Sequence, residues 1–133
     1  MIFKGYISSR KLPDGTINHQ KVQNLVIRDA CEKRGYEFKL SATEYGIKNC
    51  FLTYFQLIKE LKANKYDGIA FYSIAQLPPQ KKDRKKLYEL ILKKKKTALF
   101  SLENILIKHK KDMNKLEVFL KLKDFLKYSP KKI

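Results

Sequence analysis

The chain opens with Ile2-Phe3-Lys4-Gly5-Tyr6-Ile7-Ser8-Ser9-Arg10, an apolar stretch that leads straight into a polar turn. Residues 2–7 have the apolar and aromatic content of a short β-strand. Ser8, Ser9 and Arg10 follow and carry hydroxyl and guanidinium groups, which bind or react with ligands. The stretch therefore predicts a first strand whose carboxyl end carries functional side chains.

Further strands and helices alternate along the rest of the chain. Short apolar runs predict strands at residues 37–41, 69–72 and 97–102. Apolar residues at helical spacing predict helices over about residues 19–34, 49–61, 81–95 and 112–129. The apolar face of the first helix is predicted to consist of Val22, Leu25, Val26 and Ala30.

Strands that alternate with helices of this length favour a parallel sheet with right-handed crossovers. We therefore predict an α/β fold, a three-layer sandwich with a mostly parallel sheet of four or five strands and a C-terminal helix. A chain of 133 residues is long enough for one domain with its own core. Residues 1–104 are expected to form that core, and residues 105–133 a basic link and the last helix.

Cysteine usage and hydropathy indicate a cytoplasmic protein. Cys31 and Cys50 form no CxxC pair and fit reduced thiols. No apolar run reaches the roughly 20 residues of a membrane span. The N-terminus lacks the basic region, apolar core and small-residue cleavage site of a signal peptide.

The net charge of +17 is unevenly distributed. Residues 1–80 hold 12 basic and 7 acidic residues, whereas residues 81–133 hold 18 and 6. Basic surface is typical of nucleic-acid binding, so the second half is the part expected to contact a polyanion. However, 26 of the 30 basic residues are lysine. Because arginine is favoured where phosphate is held by two hydrogen bonds, a solvated lysine surface is the competing interpretation.

Polar side chains follow all four predicted strands. The four ends read Ser8-Ser9-Arg10, Ser41-Ala42-Thr43-Glu44, Ser73 and Ser101-Leu102-Glu103-Asn104. In open parallel sheets, ligands bind beyond the carboxyl ends of the strands, near the point where the strand order reverses. Loops need polar residues in any case, but this combination of groups favours a ligand site at that edge.

Four of these residues are the candidates for catalysis. Arg10 could hold a carboxylate or phosphate with its planar guanidinium, and Glu44 could act as a general base or bind sugar hydroxyls. Ser8 and Ser9 are candidate nucleophiles, although the sequence shows no base beside them. His19 lies near the same edge, where a surface or capping role is the commoner one.

A second group of residues is expected to bind the ligand. Gln20, Gln23 and Asn24 open the first helix, where free N–H groups favour an anion. The other members are Tyr45, Asn49, Ser73, Gln76 and Glu103. The chain has no GxGxxG, GxxxxGK[ST] or GxSxG motif and no clustered histidines and cysteines, so neither a cofactor nor a metal is predicted.

Residues 2–104 resemble the catalytic domain of the serine recombinases, the resolvases and invertases. The resemblance lies in Gly5-Tyr6-Ile7-Ser8-Ser9-Arg10, in the glutamines of the first helix, in residues 69–77 and in residues 99–103. It implies a resolvase-like or flavodoxin-like fold.

Two motifs of that family differ here. Its first strand ends in Tyr-x-Arg-x-Ser, with a catalytic arginine and serine, whereas Ser8 stands at the arginine position and Arg10 at the serine position. Its Asp-Arg-Leu-x-Arg is replaced by Ala75-Gln76-Leu77-Pro78-Pro79. Recombination needs those arginines, so strand cleavage by this chain is not expected.

A second resemblance is to the sporadic carbohydrate cluster proteins, found beside bacterial surface-polysaccharide genes. It rests on residues 3–10, on Gln23-Asn24-Leu25-Val26-Ile27-Arg28-Asp29, on Leu40-Ser41-Ala42-Thr43-Glu44-Tyr45 and on residues 72–78. It implies a role in making or modifying a surface glycan and specifies no reaction.

Three hypotheses follow. The first is a cytoplasmic protein of surface-carbohydrate biosynthesis that binds or modifies an anionic sugar or sugar nucleotide at the strand ends. The second is a DNA-binding or regulatory module of serine-recombinase descent that lacks recombinase activity. The third is a non-catalytic partner subunit that docks through the last helix, with a homodimer left open.

Overall fold

A computed structural model describes residues 1–9, 19–47 and 50–128, with side chains as far as residue 122. The strands are β1 (Ile2–Ser8), β2 (Glu37–Glu44), β3 (Gly68–Phe71), β4 (Thr97–Phe100) and β5 (Ile105–Ile107). The helices are α1 (Gln20–Lys33), α2 (Leu52–Lys62), α3 (Lys81–Lys94) and α4 (Lys110–Tyr128), with a 3-10 turn at Ile74–Gln76.

The strands form one sheet in the order β2-β1-β3-β4-β5. The β1–β2, β1–β3 and β3–β4 pairs are parallel, and β5 pairs antiparallel to β4. The order therefore reverses between β1 and β3, where the chain passes from one half of the sheet to the other. The predicted α/β fold with a mostly parallel sheet is confirmed, and β5 lies in the stretch that we predicted as a basic link.

Apolar clusters on the two faces of the sheet make up the core. One lies between the sheet and α2, α3 and α4, and includes Tyr6, Phe71 and Phe100. The rings of Phe71 and Phe100 stack with centroids 4.9 Å apart. The other cluster lies under α1 and includes Phe3 and Ile27. Helices on both faces of the sheet give the three layers.

The predicted apolar face of α1 is right for Val26 and Ala30, which pack against the core, and wrong for Val22 and Leu25. Val22 and Leu25 are 45% and 57% exposed, whereas Gln23, Ile27 and Cys31 are buried. Burial raises the pKa of the Cys31 thiol to about 11, so this thiol stays protonated. The helix turns a polar residue inward because Gln23 has hydrogen-bond partners at the sheet edge, which apolar spacing does not indicate.

Several element boundaries differ from the predicted ones by a few residues. β2 continues to Glu44 rather than ending at residue 41. α4 begins at Lys110, two residues before the predicted start of the last helix at residue 112. The Asp112 carboxylate accepts hydrogen bonds from the backbone N–H groups of Lys108 and His109. Burial opposes ionisation of Asp112, but these two bonds outweigh it and hold its pKa below the ordinary value.

A bidentate ion pair fixes α4 to α3. Arg84 donates to both Glu117 carboxylate oxygens, at 2.8 and 2.6 Å, and the two side chains are 11% and 15% exposed. The hydroxyl of Tyr88 also donates to Glu117, and Arg84 donates to the carbonyls of Pro78 and Pro79. One guanidinium therefore connects α3, α4 and the loop that follows β3.

Gly68 has no room for a side chain, so Gly68→Ala is expected to lower the free energy of unfolding by about 1–3 kcal/mol. A Cβ there would lie 2.5 Å from a ring carbon of Phe3 and 2.5 Å from the carbonyl oxygen of Thr97. Urea unfolding measures the loss. Gly46→Ala is the matched control, because its Cβ would meet the exposed hydroxyl of Ser9, which can rotate away. Equal losses in the two variants would contradict the assignment.

Glu117 is expected to make stability depend on pH. Burial disfavours its charge, but the hydrogen bonds from Arg84 and Tyr88 outweigh that effect and hold its pKa below the ordinary value. Its contribution is therefore present above the ordinary carboxyl pKa and lost as the pH falls through the lower folded-state pKa. Glu117→Gln should cost about 1–3 kcal/mol near neutral pH and progressively less as the pH falls below the ordinary carboxyl pKa. Glu89→Gln, at an exposed carboxylate of α3, is the control. The difference between its free energy of unfolding and that of the native chain should not change with pH in this way.

Candidate functional site

The carboxyl ends of β1 and β3 are joined by the side chains of two glutamines. The Gln23 amide accepts a hydrogen bond from the Ser8 N–H at 3.1 Å and donates to the Ser8 carbonyl at 2.6 Å. Gln76 donates to the Gln23 carbonyl oxygen at 2.8 Å and accepts from the Tyr72 N–H at 3.2 Å. We call Ser8, Gln23, Tyr72 and Gln76 the junction network.

The junction network is buried. Ser8, Gln23 and Gln76 are 2%, 3% and 2% exposed. Both oxygen and nitrogen of the Gln23 and Gln76 amides face groups that the fold itself supplies, so these amides fasten α1 and the loop after β3 to the sheet edge. Three predicted ligand-binding or catalytic residues thus meet where we expected, and the structure shows them bound to one another.

Ser73 and Glu103 form a second set of contacts, between the ends of β3 and β4. The Ser73 hydroxyl donates to Glu103 at 2.6 Å and accepts from the Ala75 N–H at 3.1 Å. Glu103 also accepts from the Ile74 N–H at 3.1 Å. Ser73 thereby caps the 3-10 turn, and its hydroxyl is bonded within the fold both as donor and as acceptor.

Glu44 lies at the N-terminus of α2. Its carboxylate accepts from the N–H groups of Thr53 and Tyr54, at 2.9 and 3.1 Å, and from the Tyr6 hydroxyl at 2.8 Å. The first-turn N–H groups of a helix favour an anion, and here Glu44 supplies it. The side chain is buried, so the predicted general base is held as a helix cap.

Most of the remaining predicted residues in the described part of the chain are exposed. Ser9, Gln20 and Tyr45 are exposed, and His19 is exposed at the cap of α1 without a side-chain hydrogen bond to the helix. Asn24 is half-buried, and its Oδ1 has no hydrogen-bond partner among the described residues. Arg10 and Asn49 lie outside the described residues, so their expected roles stay predictions.

Exposed lysines cover α3 and α4, which are neighbours through the Arg84–Glu117 pair. On α3 they are Lys81, Lys82, Lys85, Lys86, Lys93 and Lys94, and on α4 they are Lys110, Lys111, Lys115 and Lys121. We call these residues the lysine surface. They account for much of the positive charge that the composition assigns to the second half of the chain.

A groove lies beside the edge strand β2, at a place where the sequence predicted no site. It has a volume of about 730 Å³ and is lined by Tyr36, Glu37, Phe38, Lys39 and Leu40, with Lys4, Arg28 and Glu32. Its position depends on β2 being an edge strand, and that follows from the strand order, which periodicity does not reveal.

The fold is that of recombinase catalytic domains. The N-terminal catalytic domain of TP901-1 integrase superposes with a TM-score of 0.62 at 18% identity, over 92% of this chain and 95% of that one. A resolvase family site-specific recombinase from Streptococcus pneumoniae gives 0.64 at 10% identity, over 92% and 88%. At these identities the likeness establishes the fold alone. No family model and no curated protein matches the chain.

The described part of the chain offers neither a metal cluster nor a membrane-spanning helix. It contains no group of three or more histidine, cysteine, aspartate or glutamate residues placed to hold a metal ion. None of its helices combines the length and the hydropathy needed to cross a membrane.

The junction network predicts unequal effects of two glutamine substitutions on α1. Gln23→Ala should lower the free energy of unfolding by about 1–3 kcal/mol, because it leaves buried groups of Ser8 and Gln76 without this partner. Gln20→Ala, at an exposed position one turn earlier, should leave stability within about 0.5 kcal/mol of the native value. Chemical denaturation of both variants tests this, and comparable losses would show that Gln23 does not join the two strands.

Proposed function

We propose that this chain is a DNA-binding or regulatory module of serine-recombinase descent that does not itself cleave DNA. The observation that carries the proposal is the lysine surface on a fold shared with two recombinase structures. Lysine residues that neutralise phosphates release counterions from DNA, and this supplies sequence-independent affinity.

The absence of cleavage is inferred from the residues at the motif positions. Recombinase chemistry needs arginines that activate a serine and hold the scissile phosphate, and the resemblance places Ser8 and Gln76 at two such positions. Both are neutral, buried and bonded within the junction network. A phosphate would find no cation at either of them.

The outer side of α4 supports a contact with another protein as an additional role. Val118 and Leu122 are 58% and 56% exposed, and Phe119 is partly exposed. A regulatory module needs a surface for the protein it regulates, and a row of exposed apolar side chains on one helix suits that purpose. The proposal of a partner subunit that docks through the last helix rests on these residues.

The sugar-binding hypothesis stays a prediction without support from the comparisons. It placed an anionic sugar or sugar nucleotide at the strand ends, where Ser8, Glu44, Ser73 and Gln76 are now seen to be buried and bonded to the fold. Arg10 lies outside the described residues, so its predicted role in holding an anionic sugar stays a prediction.

DNA binding through the lysine surface is tested with a variant that changes Lys82, Lys85, Lys111 and Lys115 to glutamine. Fluorescence anisotropy with a short random-sequence duplex should show affinity at least about tenfold weaker than that of the native chain. The dependence of log K on log salt should become less steep by about 0.9 for each phosphate that the variant no longer neutralises.

The control removes the same charge elsewhere, by changing Lys21, Lys59, Lys62 and Lys65 to glutamine, all of which are exposed. This control should bind DNA nearly as tightly as the native chain. If the two variants lose affinity equally, binding reports only the net charge of +17, and the proposed surface is wrong. No binding by the native chain near 50 mM salt would reject the DNA-binding function altogether.

A further inference from the structure

The open edge of β2 suits pairing with another strand. Among the described residues β2 pairs with β1 alone. The groove of about 730 Å³ is lined by five consecutive residues, 36–40, which come from both faces of the strand. It therefore runs along the edge of the strand and not over one face of the sheet. Leu40 lies within it and is 78% exposed.

The direction of the backbone groups along this edge follows from one hydrogen bond. The Glu37 N–H donates to the Met1 carbonyl at 2.9 Å and therefore points toward β1. In an extended chain the N–H and C=O groups of successive residues alternate in direction. The Tyr36 carbonyl, the N–H and carbonyl of Phe38 and the Leu40 N–H consequently point away from the sheet, into the groove.

The charges along the β2 edge of one copy can pair with those of a second, antiparallel copy. Glu37 and Lys39 flank Phe38 and are both exposed. If two copies of β2 run antiparallel about a two-fold axis at Phe38, Glu37 of each copy faces Lys39 of the other. Such a match is the signature of a symmetric contact between identical surfaces.

We propose that the β2 edge binds a second copy of this chain in this register. The Phe38 N–H of each copy donates to the Phe38 carbonyl of the other, and the Leu40 N–H donates to the Tyr36 carbonyl. Glu37 and Lys39 then form the closely spaced pairs in which opposite charges attract most strongly. Leu40 packs beside Tyr36 of the other copy and loses its exposure to water.

An irregularity in β2 confines this pairing to residues 36–40. Lys4 pairs with Lys39, and Tyr6 pairs with Ala42. Between these two pairs β1 advances by two residues and β2 by three. The extra residue interrupts the edge just after Leu40, and bulges of this kind end strand pairing. The contact is therefore short, and it closes after two copies because both partners use the same edge.

Charge exchange at the edge tests the proposal by sedimentation velocity on the full chain. Because each copy carries +17, the measurement is made at about 0.15 M salt, where charges are screened beyond about 8 Å. The native chain should dimerise with rising concentration. Lys39→Glu and Glu37→Lys each place like charges opposite one another and should weaken the dimer by roughly tenfold or more. The double variant restores opposite pairs and should dimerise as the native chain does.

Matched controls carry the same charge changes at exposed positions away from the edge, Lys65→Glu and Glu89→Lys. They should dimerise like the native chain, and circular dichroism should show all variants folded. A native chain that stays monomeric overturns the proposal, as does a dimer that both single variants at β2 leave unchanged. Loss of the dimer in Leu122→Lys alone would assign the contact to α4 and would also overturn it. The DNA-binding experiment is independent of all these outcomes.

Discussion

The amide of Gln23 is the contact on which the arrangement of the sheet edge depends. It bonds to both backbone groups of Ser8 at the end of β1 and accepts the amide of Gln76 from the segment after β3. Parallel strands leave their last backbone groups unpaired where the chain turns into a loop, and buried groups of that kind need partners. Gln23 and Gln76 supply them, which is why a polar residue occupies the inner face of α1.

The rest of the edge follows the same physical rule. Glu103 holds the start of the 3-10 turn, and Glu44 holds the start of α2. In each case a carboxylate accepts N–H groups at the start of a turn or helix that would otherwise be unpaired. The side chains that sequence reasoning assigned to a ligand are thus used to anchor the loops. Open, charged surface is found elsewhere, on α3 and α4 and along the edge of β2.

Much of the fold could be predicted from the sequence, because periodicity reports which side chains are buried. The buried central strands β3 and β4 lie in two of the apolar runs that predict strands, and α3 lies in a stretch with apolar residues at helical spacing. The sequence-based predictions fail where a polar residue is buried or an apolar residue is exposed. Gln23 is buried while Leu25 is exposed, and the three-residue strand β5 has a basic segment on its C-terminal side. The sequence predicts that the strand ends lie at one edge of the sheet. It does not predict the burial of their side chains, because that depends on which residues of other elements cover them.

Ser8 and Gln76 are neutral, so the junction between β1 and β3 needs no anion to balance a buried positive charge. A buried guanidinium is stable only beside an anion, so an arginine at such a position calls for a phosphate or a carboxylate. An amide carries no charge and is satisfied by neutral partners, as Gln76 is by Gln23 and the Tyr72 N–H. The junction is consequently stable without a ligand. The proposed binding of DNA therefore depends on the outer surface of the fold and not on this junction.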